Sequence, residues 1–501
     1  MTTKNEYRRL LLKSAMGAAA AACLPNLAQA AGLPVRLEWQ QFKLTPQYGP
    51  FLSAIAAMRA NTNANDRSSL QFWADVHLHQ CPHGAPYFIS WHRGYLFYFE
   101  QQLRLISGDP KLNVPYWDYY SYATLPAEFT NPASSNPLYV PRMSANVHSA
   151  LDLAPFAPGV FNFQHGTVNA FEPKLEDVHN PIHDLIGGVM STMLSPLDPI
   201  FYLHHGNIDR LTHAWAYPDG KGIPFSAWPY SPTNSDPYWA GDNVYSADLS
   251  MPRYQTLDPN WMGVDYANVA VPTSLPPAPS ARRIAPLQRP PFKAFPPAPK
   301  RHISASRRSL GGVLQPLFDE QSVSIRLQLE KKDAAQVARV VAARAAEESG
   351  KETGKDSRGA IKVVIDRAVL KSAAAARGGF FYALYVNMPD TVDAQAARER
   401  WFVGTVGAFQ IAAASHHGAA KVEFDITGLL ARQGTTDFSE LTLSWLRVDG
   451  DRPPAGQTIG VDELRIDLAA DAQPVQPLQL SKPQGWYGQR GAGPALSSAG
   501  R

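Results

Sequence analysis

A multidomain α plus β chain is predicted, with an α-helical bundle in the first half and a β-sandwich or barrel in the second. Three observations carry that expectation. At 501 residues the chain exceeds what one hydrophobic core ordinarily organises, so two or three folding units are expected. The hydrophobic period changes along it, from helix signals to alternation of two. Between the two patterns lies a strip rich in proline and basic residues and free of acids.

At the N-terminus, Tyr7-Arg8-Arg9-Leu10-Leu11-Leu12-Lys13 carries an adjacent arginine pair, and Ala28-Gln29-Ala30 offers a cleavage site. The alanine tract between them is too short to span a bilayer. Residues 1–30 therefore read as a twin-arginine signal peptide, and the mature protein as exported, periplasmic or secreted, with no membrane anchor. Lipid attachment through Cys23 is the competing reading; it is opposed by Ala20, where a lipoprotein signal usually has leucine. Cleavage after Ala30 removes Lys4, Arg8, Arg9 and Lys13 against Glu6, which accounts for the whole formal +3 of the chain. A formally neutral mature chain gives no support to a nucleic-acid or anionic-membrane partner. Cys81 is then the lone cysteine, so no intramolecular disulfide forms even in an oxidising compartment.

Residues 35–268 are rich in aromatics and helix signals. Asn180-Pro181 and Asp198-Pro199 both read as an N-cap followed by proline at the first helical position. From Ala270 to Leu310 there are ten prolines and eight lysines or arginines, so 270–310 reads as a basic, extended, semi-rigid linker. Beyond it, Val323 to Leu329 alternates, and Ile361 to Ile365, Phe380 to Val386, Val422 to Ile426 and Leu441 to Leu446 are short apolar or alternating runs. These place a β-rich domain at 315–468. The stretch from Lys331 to Gly359, rich in Ala, Glu and Lys, reads as an exposed helical insertion or flexible loop within it. The tail 470–501 carries Pro, Gly and Ser and reads as loosely ordered.

The histidines carry the chemistry. Of 14, four fall in one group (His77, His79, His83 and His92) and five in another (His179, His183, His204, His205 and His213). Neutral imidazole is the commonest protein ligand for copper and zinc, and three imidazoles on one ion leave a position open for substrate or oxygen. His179 and His183 are one helical turn apart and can face one metal. A single such pair is weak evidence, because His pairs at helical spacing are common on surfaces and in satisfied cores. The neighbouring residues add to it. The run from His83 to Glu100, with Pro86, Phe88, Trp91-His92-Arg93, Leu96 and Phe99, resembles the copper A signature of tyrosinases, catechol oxidases and molluscan hemocyanins. The run Asp198-Pro199-Ile200-Phe201-Tyr202-Leu203-His204-His205-Gly206-Asn207-Ile208-Asp209-Arg210 resembles their copper B signature, and the two occur in the family's order.

That resemblance implies two copper ions in a binuclear type 3 centre held between helices, His77, His83 and His92 on one and His179, His183 and His205 on the other. His79, His204 and His213 take structural roles, with His79 the main rival to His77. The resemblance also implies a thioether between Cys81 and His83. Glu176, with Glu172 as runner-up, pairs with Asn180 to hold a water near the metals. Met193 stands over the copper A side of the pocket. Pro115-Tyr116-Trp117-Asp118 is a core element, with Asp118 oriented by Arg93. The implied activity is ortho-hydroxylation of monophenols and oxidation of o-diphenols to o-quinones, with phenols and O2 as partners. The alternatives are a catechol oxidase and, in another class, a reversible oxygen carrier. A zinc hydrolase lacks the glutamate that H-E-x-x-H would require.

Gly378-Gly379-Phe380-Phe381-Tyr382 with Tyr385-Val386-Asn387, Ser415-His416-His417-Gly418 and Glu423-Phe424-Asp425 are similar to the C-terminal domain of plant-type polyphenol oxidases. In those relatives this domain shields the active site; the other reading is a permanent stabilising domain. If the thioether forms, Cys81 in denatured, copper-matured protein resists alkylation, and peptide mapping shows Cys81 and His83 joined and two hydrogens lighter than the unlinked peptide. Recovery of alkylated Cys81 from active protein rejects the bond.

Overall fold

The computed structural model describes residues 32–82, 86–167, 169–216, 221–223, 227, 236–277, 286–349, 359–415 and 418–470. The expected signal peptide, the tail and His83 lie outside those residues. Five helices organise the first half: α1 (Tyr48–Ala60), α2 (Leu70–Gln80), α3 (Phe88–Ser107), α4 (Phe171–Ile186) and α5 (Ile200–Ala216). Capping fixes where they start. The Ser69 side chain accepts from the Gln71 N–H at the head of α2, and the Asp198 carboxylate accepts from the Ile200 N–H at the head of α5. Asp198 is itself held by a two-pronged ion pair with Arg142 at 2.6 and 2.8 Å. Asn180-Pro181 does not open a helix. It lies inside α4, where Pro181 removes one backbone bond, to Asp177, and the helix continues on its buried face.

All residues of α5 are buried, so its polar side chains need partners inside the core. Asp209 receives Arg36 at 2.9 Å, Arg93 and the Tyr266 hydroxyl, and Arg36 also grips Glu100 at 2.7 and 2.9 Å. Arg36 and Tyr266 come from two-residue strands that pair in parallel, Val35–Arg36 with Asp265–Tyr266. One ionic knot therefore ties both ends of the helical half to α3 and α5. Arg93 belongs to this knot; Asp118 is oriented by Arg210 at 3.1 Å and not, as expected, by Arg93.

The second half is β-rich. All five expected runs are strands, in β2 (Val323–Gln328), β3 (Ala360–Leu370), β4 (Phe380–Val386), β6 (Ala420–Asp425) and β7 (Glu440–Asp449). They are joined by β1 (Arg307–Leu314), β5 (Phe402–Gly407) and β8 (Glu463–Ala469). One antiparallel sheet has the order β2-β7-β4-β5. The other runs through β1, β8 and β3, with β6 also pairing β3. Apolar residues of both sheets meet in one core that includes Leu310, Ile325, Ile365, Tyr382 and Trp445.

Two expectations are corrected here. The last part of 270–310 is paired structure: Pro297–Ala298 and Arg301–Ser304 both bond to β1. Its basic charge meets acids from later in the chain, Lys300 and Arg308 on Asp333, Arg301 on Glu463 and Arg307 on Asp467. A strip that looks solvated when read locally is neutralised by distant partners. Likewise Lys331–Glu348 forms helix α6, whose Val337, Val340, Val341 and Arg344 recur at helical spacing and are buried. It is a packed helix rather than an exposed insertion.

The two halves are joined through β4. Phe381, Ala383 and Tyr385 belong to the helical core, and Phe380, Tyr382, Leu384 and Val386 to the β core, so the period-two alternation is split between two apolar environments. Short helices α7 (Ala394–Arg400), α8 (Ala408–Ser415) and α9 (Thr427–Gln433) fill the remaining connections. Where β5 passes into α8, Asp184 of α4 accepts the Phe409 N–H at 2.7 Å, and burial pushes its carboxyl up to about 8. A Cβ at Gly407 would stand 2.0 Å from the Asp184 carboxylate. Gly407→Ala should therefore cost about 1–3 kcal/mol by forcing the two halves apart, read as a lower urea midpoint. An unchanged midpoint would show that the close approach is relieved without cost.

Candidate metal centre

Helices α2, α3, α4 and α5 each present imidazole to one buried volume. His77, His92, His179, His183, His204 and His205 are all 2% exposed or less. On α2 the helical rotation separates the two rivals: His77 points inward, whereas His79 lies on the exposed face with its Nδ1 on the Asp75 carbonyl. His213 is not in either group of clustered ligand atoms; its Nε2 stands 3.3 Å from an Asp265 carboxylate oxygen.

The ring orientations are set by acceptors around the rim. His77 Nδ1 meets the Met193 carbonyl at 2.7 Å, His92 Nδ1 the Phe88 carbonyl at 2.8 Å, His183 Nδ1 the Met190 carbonyl at 2.8 Å, and His179 Nδ1 the Asn180 Oδ1 at 2.9 Å. Committing Nδ1–H to an acceptor leaves the Nε2 lone pair for a metal. Nε2 of His179 and Nε2 of His205 face one another at 3.2 Å. Both ring nitrogens of His204 and Nε2 of His183 are buried without a hydrogen-bond partner among the described residues. Burial lowers the imidazole pKa values, to about 4 for His77 and about 3 for His179, with the other four well below the usual range. The rings are thus neutral at pH 7, as metal binding requires.

Two groups have their ligand atoms within 4.8 Å of one another: His179, His183, His204 and His205, and His77, Cys81 and His92. His204, to which the resemblance gave a structural role, is stacked on His179 with ring centres 5.0 Å apart. The His92 and His205 rings, one from each group, stack at 4.1 Å, so the groups are contiguous. Orphaned buried nitrogens on His183 and His204, with neutral, buried rings in both groups, fit metal binding, and the donor set suits copper or zinc.

The other predicted residues fall around this centre. Cys81 Sγ lies 3.5 Å from His92 Nε2, and burial, then Glu176, raises its thiol pKa well above the usual range. Glu176 is buried, with Oε1 lacking a hydrogen-bond partner among the described residues, and burial drives its pKa well up. Glu172 is a scaffold residue, accepting from the Ile89 and His165 N–H groups and the Tyr238 hydroxyl. Asn180 is occupied with the His179 ring. Met193 is buried and contributes its backbone carbonyl to His77. Sequence reading missed Phe409, whose ring stacks on His183 at 4.0 Å and 18°, and Asp184, which holds the Phe409 backbone. Phe409 carries no local signal, because it reaches the site from 226 positions beyond His183 through the fold; the one hint was a charged residue directly after His183 on a buried helix.

These features define a buried, histidine-rich class of metal centre in a helical core. Residues 52–156 and 142–217 match the model of the common central domain of tyrosinase. Tyrosinase HcTyr1 from Hahella sp. (strain CCB-MM4) is 32% identical over 199 residues, 31% of this chain and 41% of that protein. Hemocyanin G-type, units Oda to Odg, from Enteroctopus dofleini is 28% identical over 231 residues, 38% of this chain and 8% of that protein. The chain thus spans less than half the length of these curated relatives. A solved latent aurone synthase (polyphenol oxidase) is similar with TM-score 0.48 and 16% identity, covering 87% of this chain and 90% of that one. Over residues 52–217 the chain is thus similar to the type 3 copper proteins, the tyrosinases, polyphenol oxidases and hemocyanins.

Alanine at His92 or His205 should halve the copper bound per chain or worse, because each removes an inward donor, while alanine at exposed His79 should leave it unchanged. Metal analysis of purified variants decides. Full copper in both His92→Ala and His205→Ala would reject these donors, and loss in His204→Ala with retention in His205→Ala would reverse the choice within the pair.

Proposed function

We propose that this chain is a copper-dependent phenol oxidase that hydroxylates monophenols at the ortho position and oxidises o-diphenols to o-quinones with O2. His77, His83 and His92 are assigned to one copper and His179, His183 and His205 to the other. The observation that carries the reading is the contiguity of the two neutral imidazole groups, bridged by the His92–His205 stack. Bound there, two copper ions would supply oxygen activation and take up the electrons a phenol gives.

The chain's own residues supply the rest. The face of His183 accepts a flat aromatic ring, as its contact with Phe409 illustrates, and a phenol would lie there in the same way. Glu176 and Asn180 are assigned to holding the water that takes the phenol's proton. Phe409 occupies the docking face, which supports the C-terminal region as a shield that a substrate must displace. Of the three basic pairs in the linker, Lys300-Arg301 and Arg307-Arg308 are engaged in paired strands and ion pairs. Activating cleavage is therefore assigned to Arg282-Arg283, which lies outside the described residues. The protein is proposed to act after twin-arginine export, in the periplasm or outside the cell. No helix among the described residues is long and apolar enough to cross a membrane. The second reading, a reversible oxygen carrier, is favoured by the similarity to a hemocyanin and by the filled docking face.

Metal analysis should give two coppers per chain, with oxygen consumption on a diphenol and a slower reaction on a monophenol. If the competent, Phe409-displaced state is about a tenth of the population, Phe409→Ala should raise turnover at low substrate about tenfold with copper content unchanged. Reaction on diphenols alone selects catechol oxidase. Copper and reversible oxygen binding with no turnover in either protein selects the carrier.

A further inference from the structure

The segment between α4 and α5, Gly187 to Leu197, is two short 3-10 turns, Gly188–Ser191 and Ser195–Leu197. It supplies the carbonyl of Met190 to His183 and the carbonyl of Met193 to His77, so one imidazole of each group takes its orientation from the same ten or so residues. Its own backbone bonds include Met190 N–H to Gly187 at 3.2 Å, Thr192 N–H to Val189 at 3.1 Å and Ser195 N–H to Thr192 at 3.1 Å. Shorter bonds come from far along the chain. The Gly188 N–H donates to the Arg377 carbonyl at 2.7 Å, and the Ser191 hydroxyl reaches the Ala376 carbonyl at 2.9 Å, 185 residues away in sequence, with the Gly188 carbonyl at the same distance. The next residue, Gly378, has φ +69°, and a Cβ there would stand 2.6 Å from the Asp184 carbonyl. The turn 376–378 therefore closes on this segment with no room between them.

We propose that the turn 376–378 of the C-terminal region is a positioning element for both metal sites, acting through Ser191 and Gly188 on the carbonyls of Met190 and Met193. The inference rests on the two-copper reading. It differs from a shield in what docking does: a shield covers finished sites, whereas this contact completes the support of His77 and His183. Groups that orient a ligand ring in this way commonly govern metal affinity by about 10–100-fold, since a ring that is free to swing holds its metal less well.

The test uses full-length, copper-loaded protein and measures the rate at which each copper is lost to an excess of chelator. Ser191→Ala removes the hydroxyl tie and no packing volume of consequence, and should speed loss of both ions about tenfold. Asp451→Ala is the control. Its carboxylate holds Ser144 and Ala145 in the same contact between the halves, at 3.0 and 2.9 Å, and does not touch 188–191. Its copper loss should match wild type. Wild-type rates in Ser191→Ala overturn the proposal, as does equal acceleration in both variants, which would mean general loosening. Acceleration of one ion alone overturns the link to both sites. Wild-type protein that never retains copper overturns the two-copper reading, and this proposal falls with it.

Discussion

Four of the six buried imidazoles of the cluster have Nδ1 tied to a group that does not move, and much of the helical half is arranged around those ties. A backbone carbonyl is rigid and keeps a second lone pair for such a bond even when the first is used. The Phe88 carbonyl lies in the first turn of α3, and those of Met190 and Met193 come from the turns between α4 and α5. The side chain of Asn180 can fill the same role for His179 because it is the next residue on α4. Desolvation then keeps the rings neutral, so burial and ligand capacity are one property seen from two sides.

Burial of that degree leaves α5 with charged residues deep in the core, and the Arg36–Glu100–Asp209–Arg93 knot is the response. Such a cluster contributes little net stability compared with apolar packing, but removal of any one member leaves an uncompensated charge, at a cost of about 3–5 kcal/mol. The knot therefore acts as a register pin. Its contacts are made in the same pairing of α3 with α5 that brings His92 and His205 face to face.

The helical half was legible in the sequence because its signals are local. Asp198 capping α5 and the motif residues around His92 depend on spacing within one helix, whereas His77 and His79 stayed rivals in sequence and are told apart only by the rotation of α2. The misreadings share a cause. Asn180-Pro181 looked like a helix start because proline statistics outweigh the middle of a buried helix. Residues 297–310 looked like exposed linker because their acidic partners, Asp333, Glu463 and Asp467, come later in the chain. Strand β8 alternates Leu464, Ile466 and Leu468 with charges, and that pattern was available, but its charged face is buried among ion pairs rather than solvated. Phe409 and the carbonyl partners of Ser191 had no sequence signature, since a backbone atom carries none.

Strand β4 has no face that belongs to water. With Phe381, Ala383 and Tyr385 seated in the helical core and Phe380, Tyr382, Leu384 and Val386 in the other, separation of the halves uncovers an aromatic stripe on the β side and the hollow that received it on the helical side. Both surfaces are of the kind that drives self-association. A fragment ending in the linker would thus carry an uncovered apolar hollow however well its own helices fold, and solubility of the helical half depends on the β-rich half staying beside it.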